Sequence, residues 1–323
     1  MDDLTGIHHI GLLVRDMDDA LAAYARLGFH LGPPAYPALP PAPGAAPEPV
    51  GAGNTHADFP RSFIELLAFA PADPARLPAG AALVPLQVPD DQLAATRTVI
   101  GRTLDGLAAR LDRAEGAHIL VLTTDDAERT AARLDAAAVP NSGARTAQRP
   151  LATAAGTVLA DVRFLKLHDP AAPGGLVPEG RVGAAEDAPA DLLDAQTGLA
   201  HPNGANAITA CTVCTAPDGL DAAADRYRRY LGTAPESDGP DAVFTLGAAR
   251  LVLTTPAALA HRLPGERPRT LPGIAACTLA VTDLPAAERL LRANGVPLGR
   301  TADGDPFVPA AAALGLALVL KTA

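Results

Sequence analysis

The chain is 323 residues long, which at about 150 residues per domain predicts two domains with room for a sizeable core. It is 48% hydrophobic and 19% charged, which excludes a chain disordered throughout, and its formal net charge of -10 without a basic patch argues against a binder of nucleic-acid phosphates. The acidic start, MDDLTGIHHIGLLVRDMDD, has an apolar run too short for a signal peptide or a membrane span, so a cytoplasmic protein with a small-molecule partner is expected.

In chain order, the run Ile7 to Val14 predicts a strand, Asp16 a helix N-cap, and Leu21 and Tyr24 a helix that stops at Gly28. Two long insertions interrupt the first domain; one, from Pro33 to Gly53, is too rich in Pro and Gly for helix or central strand and is expected to be a mobile surface loop rather than an ordered active-site lid. Asn54, His56 and Asp58 alternate along a candidate strand, and RSFIELLAF reads as an apolar strand. The strand-Asp-helix unit then recurs, with strand His118 to Thr123, Asp125 as cap, and Ala127, Ala131 and Leu134 on one helix face; GTVLADVRFLKL and GGLVPEGRV supply further strands. Third and fourth copies are ITACTVCTAPDGLDAAADRYRRYLG and IAACTLAVTDLPAAERLLRANGVP, each followed by strand candidates.

Each copy reads as β-α-β-β-β and cannot close a core alone, so pairs must share a sheet. The expected fold is α+β: four βαβββ modules paired into two domains with cupped mixed sheets, at residues 1–182 and 205–323, joined by a linker over 183–204. Four units in one chain complete both domains, which favours a monomer, with a dimer as the alternative. Cys211, Cys214 and Cys277 are odd in number, and a strand points residues three apart to opposite faces, so buried core cysteines are expected rather than a metal or redox site.

His9 stands seven residues before Asp16 and His118 seven before Asp125, which predicts two imidazoles near the middle of one cupped sheet. Glu65 lies on a strongly apolar strand, where a carboxylate is costly unless paired or bound to a cation. Two imidazoles and a carboxylate suit one divalent transition metal, Fe, Mn, Co, Ni or Zn. A fourth ligand is sought in Glu179, with His168 as the alternative. His56 is the candidate non-ligand acid or base; Asn54, Arg61 and Arg149 are candidate substrate contacts, and Arg163 and Lys166 further cations for an anionic substrate. His8, next to His9 on the strand, is expected to point away. His201 fits a turn at the start of the second domain.

The phrases GIHHIGLLVRDMDDA, FIELLAF, AHILVLTTDDAE and HPNGANAI resemble the vicinal oxygen chelate superfamily, in particular its glyoxalase-like members, over nearly the whole chain. The resemblance implies paired βαβββ units and, by position, His9, Glu65, His118 and Glu179 as metal ligands. It implies a metal-dependent enzyme that holds adjacent oxygens of a small metabolite and moves a proton next to a carbonyl, as an isomerase, epimerase or glyoxalase-type lyase, with Glu65, His56 and Glu179 as catalytic candidates. The alternatives are an Fe(II) extradiol-type dioxygenase and a metal-free small-molecule-binding or resistance protein. Ala276 stands where His9 would recur, so a degenerate C-terminal domain without metal is expected.

Overall fold

The computed structural model describes residues 3–323. The first half runs β1 (Leu4–Leu13), α1 (Met17–Arg26), β2 (Ala35–Leu39), β3 (Glu48–Pro49), β4 (Ala52–Asp58), β5 (Phe63–Phe69), β6 (Ala82–Pro85), α2 (Leu93–Arg113), β7 (Gly116–Thr124), α3 (Ala127–Ala136), β8 (Arg145–Thr153), β9 (Gly156–Lys166) and β10 (Arg181–Glu186). A short helix, α4 (Ala190–Asp194), leads into the second half: β11 (Ala205–Cys214), α5 (Leu220–Leu231), β12 (Glu236–Asp238), β13 (Asp241–Leu246), β14 (Ala249–Thr254), α6 (Pro256–Arg262), β15 (Gly273–Val281), α7 (Leu284–Ala293), β16 (Gly299–Arg300), β17 (Pro306–Val308) and β18 (Ala317–Thr322).

Each half forms one curled mixed sheet. In the first, β1 and β7 lie antiparallel at the centre, flanked by β5 parallel to β1 and β10 parallel to β7. In the second, β11 and β15 are central, flanked by β14 and β18 in the same relation. Two βαβββ units thus meet across an approximate twofold in each sheet. The helix-covered faces merge into one continuous core that joins Ile10, Leu12, Tyr24 and Leu120 with Cys211, Tyr227, Leu279 and Leu318.

Helix starts follow the capping chemistry. Asp16, Asp126 and Asp283 each accept a hydrogen bond from the backbone N–H three residues on, at Asp19, Arg129 and Ala286, and so satisfy one donor the first turn leaves open. The cap of α3 is therefore Asp126 and not Asp125, a shift of one residue that decides which side chain repeats His9.

Three expectations along the chain change. The segment from Pro33 to Gly53 is a hairpin of β2 and β3 joined to the sheet through β4, with Tyr36, Ala38 and Leu39 buried. Its alternating apolar residues outweigh the prolines. The second insertion carries α2, a 21-residue helix whose Leu107 and Leu111 join Leu13, Leu67, Ile119 and Val121 in one apolar cluster. The strand β10 begins after Glu179 and runs on to Glu186, inside the expected linker, because it pairs with both β7 and β9.

The second cup holds an apolar cluster of Cys214, Ala276, Phe307, Ala317 and Val319 with Leu259 of α6 packed against them, and Thr254, opposite Cys214, donates to the buried Asp241, which pairs with Arg262. Cys211 and Cys214 lie on opposite faces of β11, one in the shared core and one in this cup. Burial pushes both thiols up to about 12.

Candidate active site

Two rows of residues cross the concave face of the first sheet. In one, register aligns His56, Glu65, Gly11, Ile119 and Arg181 across β4, β5, β1, β7 and β10. The next aligns Asp58, Phe63, His9, Val121, Gly183 and Lys166, reaching β9. Directly opposed residues on neighbouring strands point the same way, so both rows face the cup.

His8 joins them. The β1–β7 ladder steps from Ile7 opposite Leu122 to His9 opposite Val121, leaving His8 as the extra residue of a bulge. Regular alternation would send His8 to the other face, as the sequence suggests. With the bulge, the rings of His8 and His9 meet edge-on at 5.1 Å, with their Nδ1 atoms 2.8 Å apart, so one of these nitrogens carries the shared proton. His8 Nε2 lies 3.1 Å from Asp187 Oδ2, and the negative carboxylate favours a proton on that nitrogen.

Phe63 organises the rest. His9 stacks on its ring at 4.5 Å and His56 at 4.3 Å, and the Arg149 guanidinium lies 4.7 Å from its centroid. Arg149 donates to Asp58 and Asp187, both at 2.8 Å. Glu65, only 8% exposed, accepts from the Asn54 side-chain amide at 2.7 Å, and its other oxygen lies 4.0 Å from His9 Nε2. Gly11 makes room for that carboxylate: a Cβ there would lie 2.7 Å from Glu65 Oε2. His56, Asp58 and Arg149 also border a cavity of about 300 Å³ that reaches His30 and Leu199.

Burial, then the neighbouring His8, His56, Arg149 and Arg181, hold the His9 imidazole well below its usual range. Burial also lowers His56, against the pull of Asp58 and Glu65. The shift favours the neutral form of both rings. Burial and the guanidinium groups of Arg181 and Arg145 bring Lys166 down to about 8, with Glu65 opposing them. For Asp187, burial alone would raise the carboxyl, but His8 and Arg149 hold it well below the carboxylate range.

The expected metal set does not assemble. His118 is the extra residue of a second bulge, and its ring turns to the end of α2, where Nε2 donates to the Ala114 carbonyl at 2.7 Å. Glu179 lies in the turn before β10, 1% exposed, and pairs with Arg226 of α5. His168 sits beside the Gly175 turn. Counting seven back from the true cap, Asp126, gives Ile119 as the counterpart of His9. The parallel pair Gly11–Glu65 likewise repeats as Val121–Gly183. Neither Ile119 nor Gly183 offers a donor atom, and a Cβ at Gly183 would lie 2.3 Å from the Leu165 carbonyl oxygen, so no side chain can be placed there. Among the described residues no group of three or more His, Cys, Asp and Glu converges to hold a metal ion. The donor set does not fit the divalent metal that the resemblance implies.

Of the other candidates, Asn54, His56 and Arg149 lie at the cup, whereas Arg61 pairs with Asp194 and Arg163 with Glu128 and Glu186. Sequence reasoning missed Phe63, Arg181 and Asp187 and set His8 aside. The counting frame from Asp126 was available in the sequence; the bulge at His8 was not.

The chain belongs to the glyoxalase-like domain family, whose model matches residues 7–231. Its fold is that of the vicinal oxygen chelate superfamily. A hypothetical protein from Staphylococcus aureus matches with a TM-score of 0.58 at 9% identity, over 98% of this chain and 99% of that one. A mutant of 4-hydroxymandelate synthase from Streptomyces coelicolor matches with a TM-score of 0.53 at 17% identity, over 99% and 93%. A xylose isomerase-like TIM barrel/4-hydroxyphenylpyruvate dioxygenase fusion protein matches at 0.54 and 13% identity, over 100% of this chain and 49% of that one. No curated protein sequence matches the chain. At these identities the structures share the fold with this chain, and reaction type has to be argued from its own residues.

Proposed function

We propose that the protein is an enzyme that moves a proton next to a carbonyl of a small oxygenated metabolite, bound on the concave face of the first sheet. The observation that carries this reading is the pair of partly buried imidazoles, His9 and His56, stacked on Phe63, with His9 Nε2 4.0 Å from Glu65 Oε2. A neutral imidazole has a free ring nitrogen that can act as a general base, and positioned proton transfer contributes about 10²–10⁴-fold in rate. When His9 Nε2 takes the proton, its Nδ1 proton can pass to His8, whose charge then rests beside Asp187. Asn54 fixes the Glu65 carboxylate, and Lys166 and Arg181 supply positive charge that holds the substrate on this face.

The test is solvent deuterium incorporation, followed by NMR, into a panel of small 2-oxo and 2-hydroxy carbonyl compounds. Wild type should exchange at least one of them, and His9→Gln should slow that exchange about 100-fold or more. Exchange with no member of the panel, or an unchanged rate in His9→Gln, refutes the reading. Ligand-induced stabilisation without turnover would instead favour the small-molecule-binding alternative, and oxygen uptake with catechols after iron reconstitution the dioxygenase.

A further inference from the structure

We infer that Arg181 and Lys166 form an anion-binding pair in the first cup, which takes the carboxylate of a small 2-oxo or 2-hydroxy acid without a metal ion. The inference rests on the proposed function for the location of the site and adds the class of substrate.

The placement follows from register. Lys166 of β9 is directly opposite Gly183 of β10, and Arg181 stands two residues before Gly183, so the two cations are diagonal neighbours on one face. Glu65 lies in the same row as Arg181, across Gly11 and Ile119. Because Gly183 has no side chain, nothing from β10 intervenes in front of Lys166. This is the ground on which the second half of a metal set would stand, and Ile119 and Gly183 leave it without ligands.

The charges there are unbalanced. Two other cations of this sheet have carboxylate partners: Arg149 has Asp58 and Asp187, and Arg163 has Glu186 and Glu128. Among the described residues the Arg181 guanidinium makes no ion pair or hydrogen bond, and the Lys166 ammonium rests 5.6 Å from the Phe164 ring centroid. Both half-buried groups are held below their usual range by burial, with only Glu65 opposing. Arg181 and Lys166, with the exposed Arg145 guanidinium also acting on Lys166, outnumber the one carboxylate, Glu65, and this excess of positive charge favours an anion. A planar guanidinium beside an ammonium presents two oxygens of a carboxylate with a fork and a point charge. The acid's carbonyl or hydroxyl carbon then lies toward the His9 row.

The test uses oxamate, a monoanion that mimics a 2-oxo acid, its uncharged analogue oxamide, and inorganic phosphate, titrated calorimetrically into the full chain with EDTA present. Oxamate should bind wild type in EDTA, oxamide should not, and raising ionic strength should weaken oxamate. Arg181→Gln and Lys166→Gln should each weaken oxamate about tenfold or more, with Arg181→Lys intermediate. The inference is overturned if oxamide binds as well as oxamate, if phosphate binds more tightly, if binding disappears in EDTA and returns with a divalent cation, or if a folded Arg181→Gln protein keeps wild-type affinity. The contrast between oxamate and oxamide needs no variant, so it stands even where a substitution unfolds the protein. Oxamate binding without proton exchange in any 2-oxo acid would sink the proposed function and leave this inference standing. Exchange that needs His9 but keeps its KM in Arg181→Gln would do the reverse.

Discussion

Replacing Arg226 by Met should destabilise the protein more than replacing its partner Glu179 by Gln. The two side chains link the turn before β10 to α5 of the other half, and their exposures differ: 1% for Glu179 against 20% for Arg226. Arg226 donates to Oε1 of Glu179, and the buried Oε2 has no hydrogen-bond partner. Arg226→Met therefore strands a carboxylate that water cannot reach, a loss of about 3–5 kcal/mol. Glu179→Gln keeps a polar group in place and leaves a guanidinium that can turn to solvent, for about 1–2 kcal/mol. The double variant Glu179→Gln, Arg226→Met removes both charges and should recover much of the deficit. With an m-value of about 3 kcal/mol/M in urea, Arg226→Met shifts the midpoint down by about 1–1.7 M. Urea titrations of the four proteins, followed by circular dichroism, give the cycle. If Glu179→Gln proves the costlier single change, or leaves stability intact while abolishing turnover, the structural role of this pair is wrong and a catalytic or ligating role returns.

Gly11→Ala should cost about 1–3 kcal/mol and suppress proton exchange, because its Cβ would meet Glu65 Oε2 at 2.7 Å and Ile119 Cβ at 2.8 Å; thermal melts and the deuterium assay check both. Asp187 has a folded pKa depressed below its unfolded value of about 3.9, so it adds stability at neutral pH that is lost as pH falls below about 4. Asp187→Asn should therefore be less stable than wild type at pH 7, with the gap narrowing in acid. For Lys166 the folded pKa of about 8 lies below the unfolded value of about 10.4, so between these values the unfolded chain binds more protons and this residue makes stability rise with pH. Lys166→Met should remove that rise, measured as the difference in unfolding free energy between pH 8 and 10.5.

Much of the architecture was written in local sequence. Strand, capping Asp and amphipathic helix recur because each is a short-range device: a capping carboxylate reaches a backbone N–H three residues away, and a helical stripe needs only the spacing of Tyr24 or Tyr227. Paired units followed from the same reading. His9, Glu65, His56 and Asn54 could be placed together because strict alternation governs β4 and β5. Alternation failed where ladders slip. A bulge at His8 brings two adjacent imidazoles to one face, and its signal is the register against β7, more than 100 residues away in the chain. Choosing between Asp125 and Asp126 as cap moved the counting frame by one residue and put Ile119 where His118 was expected. Glu179 found its partner on a helix of the other half, and Arg181 gained its place in the row of Glu65 only when β10 paired with β7. Short-range backbone chemistry is encoded by neighbours in sequence; the charge balance of the cup depends on strand register and domain packing, which only the folded chain defines.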